Sequence, residues 1–187
     1  MVELNRAQQW ALVSKLVSGM KERDQWAGET HIQKALYFLH SMLRMPCLYE
    51  FVLYKHGPYS FELHDDLGKM RAHLVLDIEP RRPYGPSFRL GQLGEDSIGR
   101  VEDVISRHFG QIDFVVENLG GMDVRILEMN ATALFVKIEK KDSDLGHLTR
   151  AIVDRKPHIS EEDARAAVQW VDNLEEEAKR QDLICKQ

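Results

Sequence analysis

The sequence predicts a mainly helical α+β protein, and three observations carry that prediction. Apolar residues in the segment HIQKALYFLHSML recur every three or four positions, as on one face of a helix. The next apolar run stops at Gly57-Pro58 and resumes as an amphipathic segment, which predicts a strand, a rigid corner and a helix. A proline-rich hairpin signal follows over 74–90. Together they predict a winged helix-turn-helix-like half, 1–91, and a helical half, 92–187, packed against it.

Caps and periodicity predict the first two helices. Asn5 is expected to cap a helix whose apolar face extends to Met20 and which ends at the polar KERDQ run. Thr30 is expected to cap the second helix, with an apolar face of Ile32, Ala35, Leu36, Leu39, Met42 and Leu43. Its outer stripe is predicted to be Lys34, Tyr37, Ser41 and Arg44. Pro46 ends this helix, and a strand is expected over 49–54.

The Gly57-Pro58 corner leads into a helix predicted over 60–71. Pro58 fixes its own φ and keeps Gly57 out of the helical region, so the chain is expected to turn there. The inward residues of the helix are predicted to be Phe61, Leu63, Leu67 and Met70. Alternating apolar residues over 74–90 surround a stiff EPRRPYGPS loop, which predicts a wing-like hairpin with Arg81 and Arg82 at its tip.

The second half reads as helical throughout. We expect a helix over 95–119 ended by Gly120-Gly121, and another that begins at Asp123. The inward set of the latter is predicted to be Ile126, Leu127, Ala131, Leu134, Phe135 and Ile138. A short helix over 145–155 stops before Pro157, and a last helix over 161–183 starts at a Ser160 capping box.

Charge divides unevenly between the halves. Residues 1–91 hold 12 Lys and Arg against 10 Asp and Glu, and residues 92–187 hold 13 against 20; the resulting +2 and −7 add to the net −5. A duplex-binding domain usually presents a clustered basic face, because neutralising phosphates supplies most non-specific affinity. The charge distribution therefore disfavours nucleic acid as a partner, without excluding it.

The cysteines and the hydropathy suggest where the chain acts. Cys47 and Cys185 lie far apart without metal-site or disulfide spacing, which is typical of reduced thiols in a cytoplasmic protein. The Cys47 side chain is expected to pack in the protein interior, and Cys185 is expected to lie in a frayed tail. No window approaches a membrane span and the N-terminus does not read as a signal peptide, so we expect no membrane partner.

Motifs for catalysis are absent from the sequence. It contains no G-x-S-x-G elbow, no phosphate loop and no HExxH or CxxC arrangement. Gly91, Gly94 and Gly99 lack the Lys-Ser/Thr of a phosphate loop and predict a turn before a helix. The neighbouring histidines His56 and His64 read as surface or hydrogen-bonded residues. A triad assembled in space stays open, but the prediction is a non-enzymatic protein with no cofactor and no metal.

The segments HIQKALYFLHSML, FVLYKHGPYSFELHDDLGKMRAHLVLD and DRKPHISEEDARAAVQWVDNL resemble the YwgA family of bacterial and archaeal proteins. They are more distantly similar to the SocA-type Panacea antitoxin domain. The resemblance covers most of 5–174 and is most specific over 32–68. It implies a winged-helix-like fold that neutralises a toxin by binding it, or that serves as an adaptor, in a mobile-element or defence setting. The chain departs from the antitoxin pattern in lacking its tryptophan and acidic positions.

Two interpretations of the Gly-Pro corner stay open. Lys55, His56 and Tyr59 could form a recognition site there, or the corner could only set the backbone while Tyr59 packs on the first helix. The predicted partner-binding residues are Lys55, His56, Tyr59, His64, Lys69, Arg81 and Arg82.

Two functions from different classes follow. The preferred one is an antitoxin-type or adaptor-type protein that holds a partner protein. The alternative is a sequence-specific DNA-binding regulator that places Arg81 and Arg82 against a minor groove. Its groove-entering helix would present Glu62, Asp65 and Asp66 to phosphates, and this acidic face suits a basic protein better. The sequence leaves the oligomeric state open.

Overall fold

The protein is mainly helical, with two small antiparallel hairpins among the residues described by this computed structural model, 4–46, 49–80 and 85–185. Helix α1 (Arg6–Glu22) begins after the predicted cap. The Asn5 side chain accepts a hydrogen bond from Gln8 N, and the Gln8 side chain accepts one from Asn5 N. This reciprocal capping box satisfies two backbone donors and fixes the start of the helix.

Helix α2 (Glu29–Ser41) lies at the centre of the fold. It is capped by Gly28, two residues before the predicted cap at Thr30. The predicted apolar face is buried, which confirms the periodicity. The predicted outer stripe is wrong for Lys34 and Tyr37, because both side chains are buried. The Tyr37 ring contacts those of Phe51 and Phe135, and Lys34 donates to the Pro58 carbonyl oxygen, so the side that the sequence assigns to solvent is covered at these two positions.

Two hairpins flank the next helix. Strand β1 (Val52–Tyr54) pairs with β2 (Gly57–Tyr59), and helix α3 (Phe61–Ala72) follows directly after Ser60. Strand β3 (Leu76–Glu79) pairs with β4 (Ser87–Leu90), which confirms the hairpin predicted over 74–90. The predicted wing tip with Arg81 and Arg82 lies outside the described residues.

The single helix predicted over 95–119 is wrong. The chain instead forms α4 (Gly94–Gly99), α5 (Glu102–Ile105), a 3-10 turn (Ser106–His108) and α6 (Phe109–Leu119). Glycine weakens a helix, and soon after Gly99 the backbone of Val101 leaves helical geometry at φ −135°. The break lets the segment bend around α1, which contacts α4, α5 and α6.

Three longer helices complete the chain. They are α7 (Val124–Lys140), α8 (Leu145–Arg155) and α9 (Glu161–Arg180), and their caps Asp123, Asp144 and Ser160 each accept a backbone hydrogen bond. Asp123 and Ser160 are the predicted starting points. Part of the predicted inward face of α7 is wrong, since Ile126 and Ile138 are exposed. The buried side of α7 is set by α2, β2, α8 and α9, which pack on it from several directions.

The C-terminal segment after α9 is anchored. The backbone N–H of Cys185 donates to Leu43 O at 3.0 Å, and Gln111 Nε2 donates to Leu183 O at 3.2 Å. The prediction that Cys185 lies in a frayed tail is therefore wrong. The other cysteine, Cys47, lies outside the described residues.

A continuous apolar core joins the two halves of the chain. It includes Val17 and Phe38 from the first half and Val116, Ala131 and Val168 from the second. The predicted packing of the halves against each other is thus confirmed. Among the described helices, none combines the length and the apolar character that a membrane crossing requires.

Candidate partner-binding surface

The Gly-Pro motif lies inside a hairpin. The chain turns at Lys55 and His56, and Gly57 pairs with Tyr54 as the first residue of β2. The predicted turn at Gly57-Pro58 is therefore displaced by two residues. Gly57 does adopt a left-handed conformation, with φ 82°, which glycine enters without steric cost. A two-residue hairpin turn generally needs positive φ at or beside it, so this glycine sets the register of the pair.

Lys34 fixes the back of this hairpin from helix α2. Its Nζ donates to the Pro58 carbonyl oxygen at 2.9 Å, and only 1% of the residue is exposed. Burial lowers the pKa of the Lys34 amine to about 8, although the Glu128 carboxylate acts in the opposite direction. The contact holds β2 against α2 from the inside of the protein.

Glu128 on α7 connects the hairpin turn to the second half. Its Oε2 lies 3.1 Å from His56 Nδ1, and its Oε1 lies 3.7 Å from Lys156 Nζ. Lys156 in turn donates to the carbonyl oxygens of Tyr54 and Lys55. Opposite charges from α7 and from the end of α8 therefore hold the turn in place. His56, a predicted binding residue, has a structural contact on one side.

The front of the hairpin and the first residue of α3 carry four side chains that we call the aromatic surface: the rings of Tyr54, Tyr59 and Phe61, together with Val52. The ring centroids of Tyr59 and Phe61 are 5.1 Å apart, and those of Tyr54 and Phe61 are 5.5 Å apart. About half of Phe61, 55%, is exposed, and Tyr54 is exposed to 46%. Phe61 was predicted to face inward, and this is wrong: it is the first residue of α3, directly after the Ser60 cap, and its ring packs on Tyr54 and Tyr59 at the surface. Large contiguous patches of exposed apolar side chains are a common feature of interaction sites.

Glu29 orients two of the predicted binding residues. Its Oε1 accepts a hydrogen bond from the Tyr59 hydroxyl at 3.0 Å and lies 2.8 Å from His64 Nδ1. Burial and the Glu29 carboxylate raise the pKa of Tyr59 to about 12, so the hydroxyl stays protonated and keeps donating. The Tyr59 hydroxyl is thereby bonded to the start of α2. One interpretation of the sequence instead has Tyr59 packing on the first helix.

The seven predicted binding residues fall into three groups. Lys55, His56, Tyr59 and His64 lie together on the hairpin and the first turns of α3. Lys69 lies further along α3, where its Nζ donates to Asp66 at 3.1 Å. The last two, Arg81 and Arg82, lie outside the described residues.

Sequence reasoning missed Val52, Tyr54 and Phe61 on the front of the hairpin, as well as Glu29 and Glu128 behind it. The signal that could have found the front residues is the placement of Tyr54 and Tyr59 on either side of a two-residue turn. Among residues 4–46, 49–80 and 85–185, no three His, Cys, Asp or Glu side chains are placed to hold a metal ion. Neither a protein-family model nor a curated protein matches this chain.

Proposed function

We propose that this chain is a non-enzymatic binding protein of the antitoxin or adaptor type, and that it holds its partner protein on the aromatic surface. The observation that carries the proposal is the exposure of Tyr54 and Phe61 beside the half-buried Tyr59. Tyrosine and phenylalanine are enriched in protein interfaces, where large apolar rings contribute most of the binding free energy. In this proposal the protein acts in the cytoplasm, in a mobile-element or defence setting.

The rings of the aromatic surface are held by contacts within the protein. Its three rings contact one another, and the hydrogen bond from Tyr59 to Glu29 fixes the central ring. Behind them, Lys34 and Lys156 hold the hairpin backbone through carbonyl contacts. A preorganised surface loses little side-chain entropy on binding, so more of its contact energy appears as affinity.

The order of elements supports a winged-helix-like interpretation of the N-terminal half. Helices α1 and α2 are followed by the first hairpin, by α3 and by the β3–β4 hairpin, and in this interpretation α3 would be the recognition helix and β3–β4 the wing. Glu62 and Asp65 are exposed on α3 and would repel phosphates. The charge of α3 therefore favours a protein over a duplex, in line with the resemblance to toxin-binding domains.

A retention experiment with two matched variants tests the proposal. The tagged protein is incubated with lysate from its own host, and retained proteins are identified by mass spectrometry, with products of adjacent genes as first candidates. The variant Tyr54→Ser plus Phe61→Ser is expected to lose at least about tenfold in affinity for the retained partner, the scale of an interface hot spot. The control, Val124→Ser plus Ile126→Ser, removes two equally exposed apolar side chains on α7 and is expected to retain the partner.

Two results would overturn the proposal. One is that no partner is retained under any condition, with the adjacent gene products tested individually. The other is a partner whose retention falls equally in both variants, because this would place the contact away from the aromatic surface. Melting temperatures close to that of the unmodified protein must accompany both variants.

A further inference from the structure

A cleft of about 320 Å³ lies next to the aromatic surface, between the first turn of α1 and the outer side of α3. Arg6 and Gln9 line it from α1, and Glu62, Asp65 and Asp66 line it from α3. Glu62 immediately follows Phe61 in the sequence, so the cleft and the aromatic surface meet at the start of α3. The two sites are therefore close enough for one bound segment to reach both.

The floor of the cleft is built from buried polar groups. Asp66 is 6% exposed, and its carboxylate accepts hydrogen bonds from Trp10 Nε1 at 3.1 Å and from the Tyr49 hydroxyl at 3.3 Å. Gln9 is 2% exposed, and its buried Nε2 has no hydrogen-bond partner in the described part of the chain. A buried amide left unpaired is costly, and native proteins usually satisfy it with a neighbour or a bound group.

The side chains that line the cleft carry a net charge of −1. Its lining holds three carboxylates, Glu62, Asp65 and Asp66, against two cations, Arg6 and Lys69. Lys69 is engaged with Asp66. Glu62 and Asp65 are exposed, and neither forms an ion pair with any residue that the structure describes. One additional positive charge would make the lining neutral.

We propose that this α1–α3 cleft receives an arginine side chain of the partner segment that docks on the aromatic surface. The proposal depends on the proposed function. Arginine fits better than lysine because its planar guanidinium can contact two carboxylates through a fork of N–H groups. The unpaired Gln9 Nε2 is a donor, so its partner in this proposal is a peptide carbonyl of the same segment, while the guanidinium contacts the carboxylates.

An NMR titration tests the cleft directly. The probe is the peptide acetyl-Gly-Arg-Gly-amide, and the control peptide carries citrulline, which has the shape of arginine without its charge. We expect the arginine peptide to shift the side-chain amide signals of Gln9 and the indole signal of Trp10 in a saturable way at millimolar concentration. The citrulline peptide is expected to leave both signals in place.

Matched variants distinguish a specific binding site in the cleft from general attraction of a cationic peptide to an acidic protein. Glu62→Gln plus Asp65→Asn is expected to weaken arginine-peptide binding at least about tenfold, as expected for losing charge-assisted hydrogen bonds. Glu161→Gln plus Glu162→Gln, which neutralises two exposed carboxylates at the start of α9, is expected to have no effect. Equal losses in both variants, equal shifts with citrulline, or no saturable shift would each overturn the inference.

The retention experiment, repeated with the cleft variant, distinguishes failure of this inference from failure of the proposed function. If the partner is released by Tyr54→Ser plus Phe61→Ser but held normally by Glu62→Gln plus Asp65→Asn, the arginine inference fails and the docking proposal stands. If both variants release it and the α9 control does not, both are supported.

Discussion

Lys34 reaches from the central helix to the Gly-Pro hairpin, where its Nζ donates to the Pro58 carbonyl oxygen at 2.9 Å. Proline has no N–H, so this strand residue can be held only through its carbonyl. The sequence pattern assigns Lys34 to a solvent-facing stripe, yet its amine lies inside the protein beside Glu128 and Lys156. A buried cation therefore joins α2 to the element that presents the aromatic surface.

Replacing Lys34 by methionine is expected to change how stability depends on pH. The pKa of Lys34 falls from 10.5 to about 8 on folding, so the unfolded chain binds more protons between these values. The contribution of Lys34 to the free energy of unfolding is therefore highest above pH 10.5, and it is lost as the pH falls through 8. Between pH 8 and 10 the free energy of unfolding of the unmodified protein should rise relative to that of Lys34→Met, by up to about 3 kcal/mol.

Urea unfolding of both proteins at several pH values measures this difference, and other titrating groups cancel in the comparison. A difference that stays constant from pH 7 to 10 would mean that Lys34 is not buried as a depressed-pKa amine.

Gly57 and Gly68 are expected to respond with opposite signs to the same substitution. At Gly57 the φ is 82°, and an added Cβ would lie 3.2 Å from Thr132 Oγ1 and 3.3 Å from Glu128 O, so Gly57→Ala should lower the free energy of unfolding by about 1 to 3 kcal/mol. Gly68 lies exposed in α3 with open space around its Cα, so Gly68→Ala should raise it by about 0.5 to 1 kcal/mol. Chemical denaturation provides both values. An unchanged stability of Gly57→Ala would contradict the role of Gly57 in the hairpin.

Neutralising Glu128 should lower the free energy of unfolding far more than neutralising a surface carboxylate does. Glu128→Gln leaves Lys34 and Lys156 without their nearby negative charge, and we expect a loss on the order of 3 kcal/mol, typical of breaking a buried pair. Glu139 pairs with Arg155 in a more exposed position, and Glu139→Gln should cost about 0 to 1 kcal/mol. Equal effects in thermal unfolding would show that the cluster around Glu128 is no more stabilising than a surface pair.

DNA binding is expected to be absent. The exposed Glu62 and Asp65 on α3 oppose phosphate contacts, and a gel-shift with the upstream DNA of the gene should show no sequence-specific complex even at low salt. A specific complex that weakens steeply with salt, and with Arg81→Ala plus Arg82→Ala, would instead favour the regulator.

Local signals predicted the elements whose ends are determined locally. Asn5, Asp123 and Ser160 cap helices because a side-chain oxygen needs only the next turn of backbone to act. The hairpin over 74–90 was also predictable, since alternation and proline placement lie within one short segment.

The candidate site was less predictable because distant segments determine it. The burial of Lys34 depends on segments such as α7, whose Glu128 lies about ninety residues later in the chain. Helical periodicity predicts that the Phe61 side chain faces inward. Its direction instead depends on its position as the first residue of α3, directly after the Ser60 cap. The β1–β2 hairpin itself was missed since Lys55-His56 lacks the Asn-Gly or Asp-Gly signal of a tight turn, and Gly57 provides the positive φ one residue later.

Lys34 and Lys156 hold the inner side of the hairpin, and the hydrogen bonds that they donate to it go to main-chain oxygens of the strands and turn. Nothing in this attachment depends on which side chains Val52 and Tyr54 present outward. Exchanging the outward side chains of Val52 and Tyr54 therefore leaves these contacts in place. On the proposed function, a new target would require only a few changed surface side chains and no change of the fold.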